Sequence, residues 1–379
     1  MINRWNLLVC GCTIGFLACP AYPLGTIPDY NFDWVVIGDP GNPGFEGGPV
    51  GQLAGRGSLD YEYRMTRTEV TASQWFEFVQ AFAPYAGDEA NSFGFTGFWI
   101  NLIGPSGIPS SYQITPGLEN RPTNMSWRMA ARYVNWLHND KTDSLESFAM
   151  GVYDTSTFTQ NEDGFYNDQA THCPDAKFWI PTLDEWIKGV YYDPTLNAGA
   201  GGWWYQPASS DESLIAGLAS KGGQTNASLF GVPGFPTEIL NVGSYPDVQT
   251  PWGLLDASGG MQEWTEEFAN FSHSLRHTKG SSFFSDDFAY QYDDGILTSL
   301  PGFVTSGNME GLRVASQVSS CSTDIDSDGV TNVLDLIDLL LCFGEPAAPE
   351  CEAEDINADG SVNVLDLIDL LLAFGTACP

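Results

Sequence analysis

Apolar side chains recur at helical spacing in two stretches of the 379-residue chain. In TEVTASQWFEFVQAF, Val70, Trp75, Phe78 and Val79 fall on one face, and in SWRMAARYVNWLHND, Met129, Tyr133, Trp136 and Leu137 do the same. Each stretch therefore predicts an amphipathic helix. Between about residues 30 and 318 the remainder is short aromatic segments broken by Gly, Pro, Asn and Ser, the punctuation of turns and short strands. Together these predict an α+β body with little regular secondary structure and a tryptophan-rich core. An irregular all-β sandwich would account for the turns but not for the two helices. Near the carboxyl end the run LDLIDLLL occurs twice. Each copy is apolar around most of a helix, so neither is expected to stand alone in water; paired, they would bury a shared face.

The amino terminus is different in kind. One positive charge in Met-Ile-Asn-Arg precedes the short apolar run WNLLVCGCTIGFLA, the layout of an export signal cut after Ala21, with Cys19 and Ala21 as the small residues of the cut site. Residues 1–21 are expected to leave, giving a secreted protein, whether extracellular, cell-surface or periplasmic. Acylation at Cys19 is disfavoured because Phe16 stands where an aliphatic residue is usual. No later segment has the ~20 apolar residues of a membrane helix, so no membrane insertion is expected.

Charge narrows the function. Lys plus Arg total 14 against 48 Asp plus Glu, a formal charge of −34. Such a field repels phosphate backbones and anionic lipid, which excludes nucleic acid as a partner. Of eight cysteines, Cys10, Cys12 and Cys19 leave with the signal, Cys173 stands alone in the body, and Cys321, Cys342, Cys351 and Cys378 crowd the tail. Four thiols allow three pairings. The preferred one joins Cys342 to Cys351 and Cys321 to Cys378, closing a linker and tying the two ends.

The tail repeats. DIDSDGVTNVLD, 324–335, returns as DINADGSVNVLD, 355–366, and the ten residues from Asn332 to Leu341 recur unchanged from Asn363 to Leu372. Each unit offers side-chain oxygen at its first, third and fifth positions: Asp324, Asp326 and Asp328, then Asp355, Asn357 and Asp359. Gly329 and Gly360 follow at the sixth, where such a loop turns sharply. The carbonyls of Val330 and Ser361, the polar Asn332 and Asn363, and the carboxylates of Asp335 and Asp366 complete each set. This is the spacing that a hard, six- to eight-coordinate cation requires, and two calcium ions are expected. A merely solvating acidic tail would need neither the glycines nor the apolar runs. Clustered carboxylates repel one another without the cation, so folding of the tail should be coupled to binding.

With Asp at the twelfth position, one helix per loop and tandem duplication, residues 321–379 resemble a type I dockerin. That small all-α, paired EF-hand-like module plugs secreted bacterial proteins into cohesin-bearing scaffolds. The resemblance implies a cohesin-like or other extracellular scaffold partner. The partner face departs from the family pattern: Val333-Leu334 and Val364-Leu365 make it apolar in both repeats.

Within residues 30–318, ordered segments resemble the sulfatase-modifying factor family, the formylglycine-generating enzymes and their relatives, whose fold is a divergent C-type-lectin-like fold. They are Glu69-Val70-Thr71 with Gln74, Phe76 and Phe78; Arg121-Pro122-Thr123-Asn124-Met125-Ser126-Trp127 with Ala130, Ala131, Tyr133 and Trp136; and Pro181-Thr182 with Glu185-Trp186. Then come Trp252-Gly253-Leu254-Leu255-Asp256, Gly259 with Glu263-Trp264-Thr265, Gly280-Ser281-Ser282-Phe283, and Gly311-Leu312-Arg313-Val314. The resemblance implies that Glu263, with carbonyls of Gly259 and Met261, holds a further calcium; Gly260 stands where the family has Asn. Physical chemistry gives Glu263 a second reading. Beside Trp264, as Glu185 beside Trp186, a buried carboxylate needs a buried Arg or backbone amides, and Arg313 is a candidate. Trp127, Trp136, Trp186 and Trp264 are expected in the core.

In the true enzymes two late cysteines bind copper(I) and exchange with a substrate cysteine. The interval Lys279–Val314 contains no Cys, and no oxygen side chain replaces soft thiolate for a cuprous ion. Copper is therefore not expected, nor are catalytic residues. His273 and His277 would share a face only on a helix, and NFSHSLRHTKG has no helical period. The expectation is a secreted, non-catalytic binding or scaffold protein with a peptide or glycan ligand, attached through its calcium module. Gly201-Gly202-Trp203-Trp204-Tyr205 could stack on sugars or fill the core. The alternatives are a formylglycine-generating oxidoreductase acting on sulfatase cysteine and a component of an extracellular polysaccharide-degrading complex.

Overall fold

Thr71 and Gln74 start the first helix. In the computed structural model, Thr71 Oγ1 accepts the Gln74 N–H at 3.3 Å and Gln74 Oε1 accepts the Thr71 N–H at 2.9 Å. This capping box opens α1, Ala72–Phe82. Ser126 caps α2, Trp127–His138, through the Met129 N–H, and Thr182 with Glu185 makes a second box ahead of α3, Leu183–Tyr191. The expected faces lie inside: Trp75, Phe78, Val79, Met129, Tyr133, Trp136 and Leu137 are buried. Phe78 is the hub between α1 and α2, its ring meeting Trp75 at 4.7 Å, Tyr133 at 5.6 Å and Trp136 at 6.0 Å between centroids. The structure describes residues 27–47, 53–229, 240–285, 289–318, 323–326, 330–347, 351, 353–357 and 359–375. The expected signal segment, Asp328, Gly329, Cys321 and Cys378 lie outside these.

Two four-stranded sheets frame the body. The first runs β1 (Trp34–Ile37), β2 (Tyr63–Thr66), β8 (Ala315–Ser316), β3 (Phe178–Trp179), all antiparallel. Ala315 pairs with Met65 on one side and Trp179 on the other, so the last strand of the body closes the sheet that the first one begins. The second sheet runs β6 (Leu300–Phe303), β5 (Leu275–Lys279), β4 (Gln262–Phe268), β7 (Glu310–Gly311), and only the β7–β4 pair is parallel. Gly302 lies under the Trp264 indole, where a Cβ would stand 2.4 Å from the ring, a close approach that only glycine allows. Between β7 in one sheet and β8 in the other the chain crosses over, and Arg313 sits at that crossing.

In the tail, Asn332 and Asn363 cap α4 (Val333–Cys342) and α5 (Val364–Leu372). Leu339, Leu370 and Val362 are fully buried with the Cys342–Cys351 disulfide, and Leu336 and Leu367 pack against them. That disulfide is the one expected for the linker. The shared face is narrower than expected. Val333, Leu334, Ile337, Leu340 and Leu341 of α4, and Val364, Leu365, Ile368, Leu371 and Leu372 of α5, remain between 46% and 79% exposed.

Cys173 corrects the sequence reading. It does not stand alone but is disulfide-bonded and almost buried. Because Cys342 and Cys351 use each other, its partner lies outside the described residues. A bridge to a distant segment leaves no local spacing signal, which is why the sequence left this thiol unpaired. Among the described residues no helix is long and apolar enough to cross a membrane.

The α3 cap carries a measurable share of stability. Thr182→Ala removes the acceptor for the Glu185 N–H, and urea unfolding should show a loss of about 1 kcal/mol, with Thr182→Ser close to the original.

Candidate functional site

Four charged residues converge where the chain crosses between the sheets. Arg313, fully buried, donates from Nε to Glu263 Oε2 at 2.9 Å and from Nη2 to Glu263 Oε1 at 2.8 Å. It also donates to the carbonyls of Thr66 and Leu255, both at 2.7 Å. Trp186 Nε1 adds a third donor to Glu263 Oε2 at 2.6 Å. The ion-pair reading of Glu263 thus describes its place in the fold, and a cation bound there would have to share both oxygens with a guanidinium and an indole. Glu69 lies beside this pair, with Oε1 accepting the Met261 N–H at 2.6 Å. Among the described residues its Oε2 has no hydrogen-bond partner, and it faces Gly260, where a Cβ would stand 2.4 Å away. Gly260 is left-handed, φ 57°, so glycine here meets both a backbone and a steric requirement. Burial, and then the neighbouring Glu263 and Asp256 charges, push the Glu69 carboxyl well up. Burial raises Asp256 to about 6.

A second polar cluster occupies the interval after β5. Lys279, buried, is held by carbonyls of Gly295 at 3.1 Å, Ile296 at 3.5 Å and Thr298. Burial lowers its ammonium to about 7. Asp294 accepts the Ser258 hydroxyl at 2.6 Å and the Ser281 N–H at 2.8 Å, and burial raises it to about 7. Phe283 packs with Met261, Phe98, Trp99, Phe284 and Met309. Ser285 Oγ accepts the Ser282 N–H at 3.0 Å and donates to Asp293 at 3.3 Å. Glu69, Asp294 and Lys279 carried no role in the sequence reading: their significance lies in burial, which a Glu in a helix-start motif or an Asp in a loop does not announce.

In the tail loops the buried twelfth-position carboxylates organise the backbone. Asp335 accepts N–H groups of Ile325 at 2.6 Å, Asp326 at 3.1 Å and Asn332 at 2.7 Å. Asp366 accepts those of Asn357 at 3.1 Å and Asn363 at 2.7 Å. Asp324, Asp326 and Asp335 each bring an oxygen to within 4.8 Å of the others, which is the reach of oxygens sharing one cation at about 2.4 Å. In the second loop Asp355 accepts the N–H groups of Asp359 at 3.1 Å and Gly360 at 2.8 Å, and Gly360 is left-handed as the sixth position requires, φ 92°. The side-chain amides of Asn332 and Asn363 donate to the carbonyls of Val330 at 2.8 Å and Ser361 at 2.9 Å.

The histidines do not form a metal pair. His277 lies in β5 with Nδ1 2.9 Å from Ser299 Oγ, while His273 occupies a turn and stacks on Phe268. Trp203 packs against Phe45, Tyr192 and the core, Trp204 donates to Asp193 at 3.1 Å, and Tyr205 is 43% exposed. The aromatic run is therefore half-buried at Trp203 and Trp204 and exposed at Tyr205. Glu185 is held by the Thr182 N–H at 2.7 Å, the Trp179 indole and the Tyr61 hydroxyl at 3.0 Å. Of the partners expected for it, backbone amide is present and arginine is not.

No curated protein matches this chain. Residues 56–317 match the sulfatase-modifying factor enzyme 1-like domain. The chain belongs to that family. Among solved structures it is similar to CarF, at 19% identity and a TM-score of 0.45, over 77% of this chain and 99% of that one. Treponema denticola variable protein 1 is 15% identical with a TM-score of 0.44, over 75% and 94%. PvdO from Pseudomonas aeruginosa is 14% identical with a TM-score of 0.43, over 79% and 100%. In this sulfatase-modifying factor domain the described part of Lys279–Val314 presents serine hydroxyls, carboxylates and phenylalanines, and its sequence holds no sulfur apart from Met309.

The Glu263–Arg313 pair should dominate the stability of the domain. Arg313→Met leaves a buried carboxylate beside Glu69 and Asp256, and urea unfolding should show a loss of about 3–5 kcal/mol. A loss below 1 kcal/mol would mean that the indole and amide donors suffice.

Proposed function

We propose that this chain is a secreted, non-oxidising member of the sulfatase-modifying factor family. On this reading its domain binds a peptide or glycan, and its repeated tail takes up two calcium ions to dock, dockerin fashion, on a cohesin-like or other extracellular scaffold protein. The observation that supports the reading is the tail: three carboxylate oxygens within 4.8 Å of one another, and two helices that keep matching apolar faces exposed. A pair of bare leucine-rich faces is a surface that awaits a partner. The lack of thiols in Lys279–Val314 supports binding over copper-dependent oxidation, since hydroxyl and carboxylate oxygens are poor ligands for a cuprous ion. The exposed Tyr205, which like the half-buried Trp203 meets the Phe45 ring edge-on, supports a ligand contact on the domain.

The residues that would hold calcium are Asp324, Asp326, Asp328, Val330, Asn332 and Asp335 in the first loop. In the second they are Asp355, Asn357, Asp359, Ser361, Asn363 and Asp366. Four carboxylates in the first against three in the second make the first loop the tighter site.

Calorimetric titration of chelator-treated full chain should find two calcium ions per chain, with Asp326→Asn weakening the tighter step and Asn357→Asp strengthening the looser one. Replacing Leu334 and Leu365 together by Lys should abolish capture by a cohesin domain while leaving calcium uptake unchanged. Avid uptake of cuprous ion, with conversion of a sulfatase-derived cysteine peptide to formylglycine, would sink the non-oxidising reading in favour of the oxidoreductase.

A further inference from the structure

The segment 168–177 has no helix or strand, and polar contacts fix it to the body. Asp168 pairs with Arg128 at 2.6 and 2.9 Å, and the carbonyls of Gln169 and Ala170 accept from Arg276 at 2.6 and 3.2 Å. At its centre His172 makes a double contact. Its backbone N–H and its Nδ1 both reach Glu266 Oε1, at 2.5 and 3.0 Å, where the Tyr153 hydroxyl also donates at 2.7 Å. The imidazole lies flat on Trp179, centroids 4.8 Å apart and planes 15° from parallel. Trp179 Nε1 in turn donates to Glu185 at 2.9 Å. Glu266 and Glu185 are both buried, and among the described residues His172 is the one ion-pair partner of Glu266. The Arg276 guanidinium donates to the Glu266 carbonyl rather than its carboxylate.

We propose that His172 is a pH-operated latch. As the imidazolium it clamps 168–177, with the Cys173 disulfide, onto Glu266 and Trp179, and loss of its proton lets the segment open. The charged groups that act on it are Glu266 and Glu267 from β4 and Glu185 from α3; around those carboxylates lie Arg276 from β5, Asp184 from α3 and the Tyr153 and Tyr61 phenols. Burial disfavours the charged ring, but the Glu266, Glu185 and Glu267 carboxylates outweigh it and raise the pKa. A histidine raised in the folded state contributes its stabilisation fully below about pH 6.5 and loses it as pH climbs through the folded value. The latch is closed below about pH 6.5 and opens as the pH rises through the folded-state pKa.

The test is an NMR titration of the His172 ring in the full chain, with hydrogen-exchange protection of the 170–174 amides followed from about pH 5.5 to 9. His172 should titrate above about 6.5, and protection should fall about tenfold for each unit by which it is raised. Glu266→Gln should bring the titration to about 6.5 or below and shift opening to lower pH, and His172→Gln should flatten the dependence. Titration of the original ring at or below 6.5, or protection unchanged across its titration, overturns the proposal. Should His172→Gln fail to fold, the original chain and Glu266→Gln decide the matter.

Discussion

Forty-eight carboxylates and fourteen basic side chains impose the constraint that organises this molecule: the acids it buries cannot each be given a lysine or arginine. An unpaired buried carboxylate costs several kcal/mol, so other donors must serve. Glu263 receives the fully buried Arg313, and Asp168 receives Arg128. Glu266 receives His172, while Glu69, Glu185 and Asp294 lean on neutral donors. Glu69 takes one backbone N–H; Glu185 takes a backbone N–H, an indole and a phenol; Asp294 takes a hydroxyl and a backbone N–H. Such donors compensate only in part, and all three carboxyls are held above their ordinary range by burial.

Tryptophan is what makes this economical. Trp179 and Trp186 donate to buried glutamates, while Trp75, Trp127 and Trp264 donate to the carbonyls of Phe95, Thr265 and Met125. Each is at once a large apolar filler and a polar cross-link between segments that share no strand pairing. The rings also accommodate cations. The Arg276 guanidinium lies 3.4 Å from the Trp127 ring centroid and the Lys279 ammonium 5.4 Å from that of Trp186, so among the described residues both are held by carbonyls and ring faces rather than by a salt bridge. A body with short strands and few helices holds one geometry because its aromatic residues do the joining that regular ladders do elsewhere.

What could be read in the sequence follows from this. α1 and α2 announced themselves because Trp75, Phe78, Val79, Tyr133 and Trp136 carry a helical period, while their caps at Thr71 and Ser126, and the Thr182 cap of α3, emerged only with the structure. The Glu263–Arg313 pair was legible as a need, since a carboxylate beside a core tryptophan must find a donor. The strands were not legible individually: β3, β7 and β8 are two residues each, too short for alternation to show. Nor could the sequence show that Cys173 is bridged, that Glu69 and Gly260 are in contact, or that His172 lies against Trp179, because each depends on segments brought together across the fold. The Cys342–Cys351 bridge was readable because the two lie only nine positions apart, across a short linker.

The tail takes the same constraint to its limit. From Cys321 onward there is no basic residue, yet Asp335 and Asp366 are fully buried and hold only backbone amides among the described partners. Amides can orient a carboxylate but cannot cancel its charge, and in the first loop two further carboxylates crowd to within 4.8 Å. Repulsion between unit charges at that distance amounts to roughly 3 kcal/mol per pair near a protein surface. A divalent cation removes it, which is why a calcium reading follows from the electrostatics as well as from the spacing. The same reasoning separates the two halves of the repeat. The ten residues of each helical half are identical and keep identical apolar positions exposed, while the loops differ in one ligand charge, Asp326 against Asn357. On the proposed reading, metal affinity can tolerate that difference, whereas a docking face that must present the same chemistry twice could not.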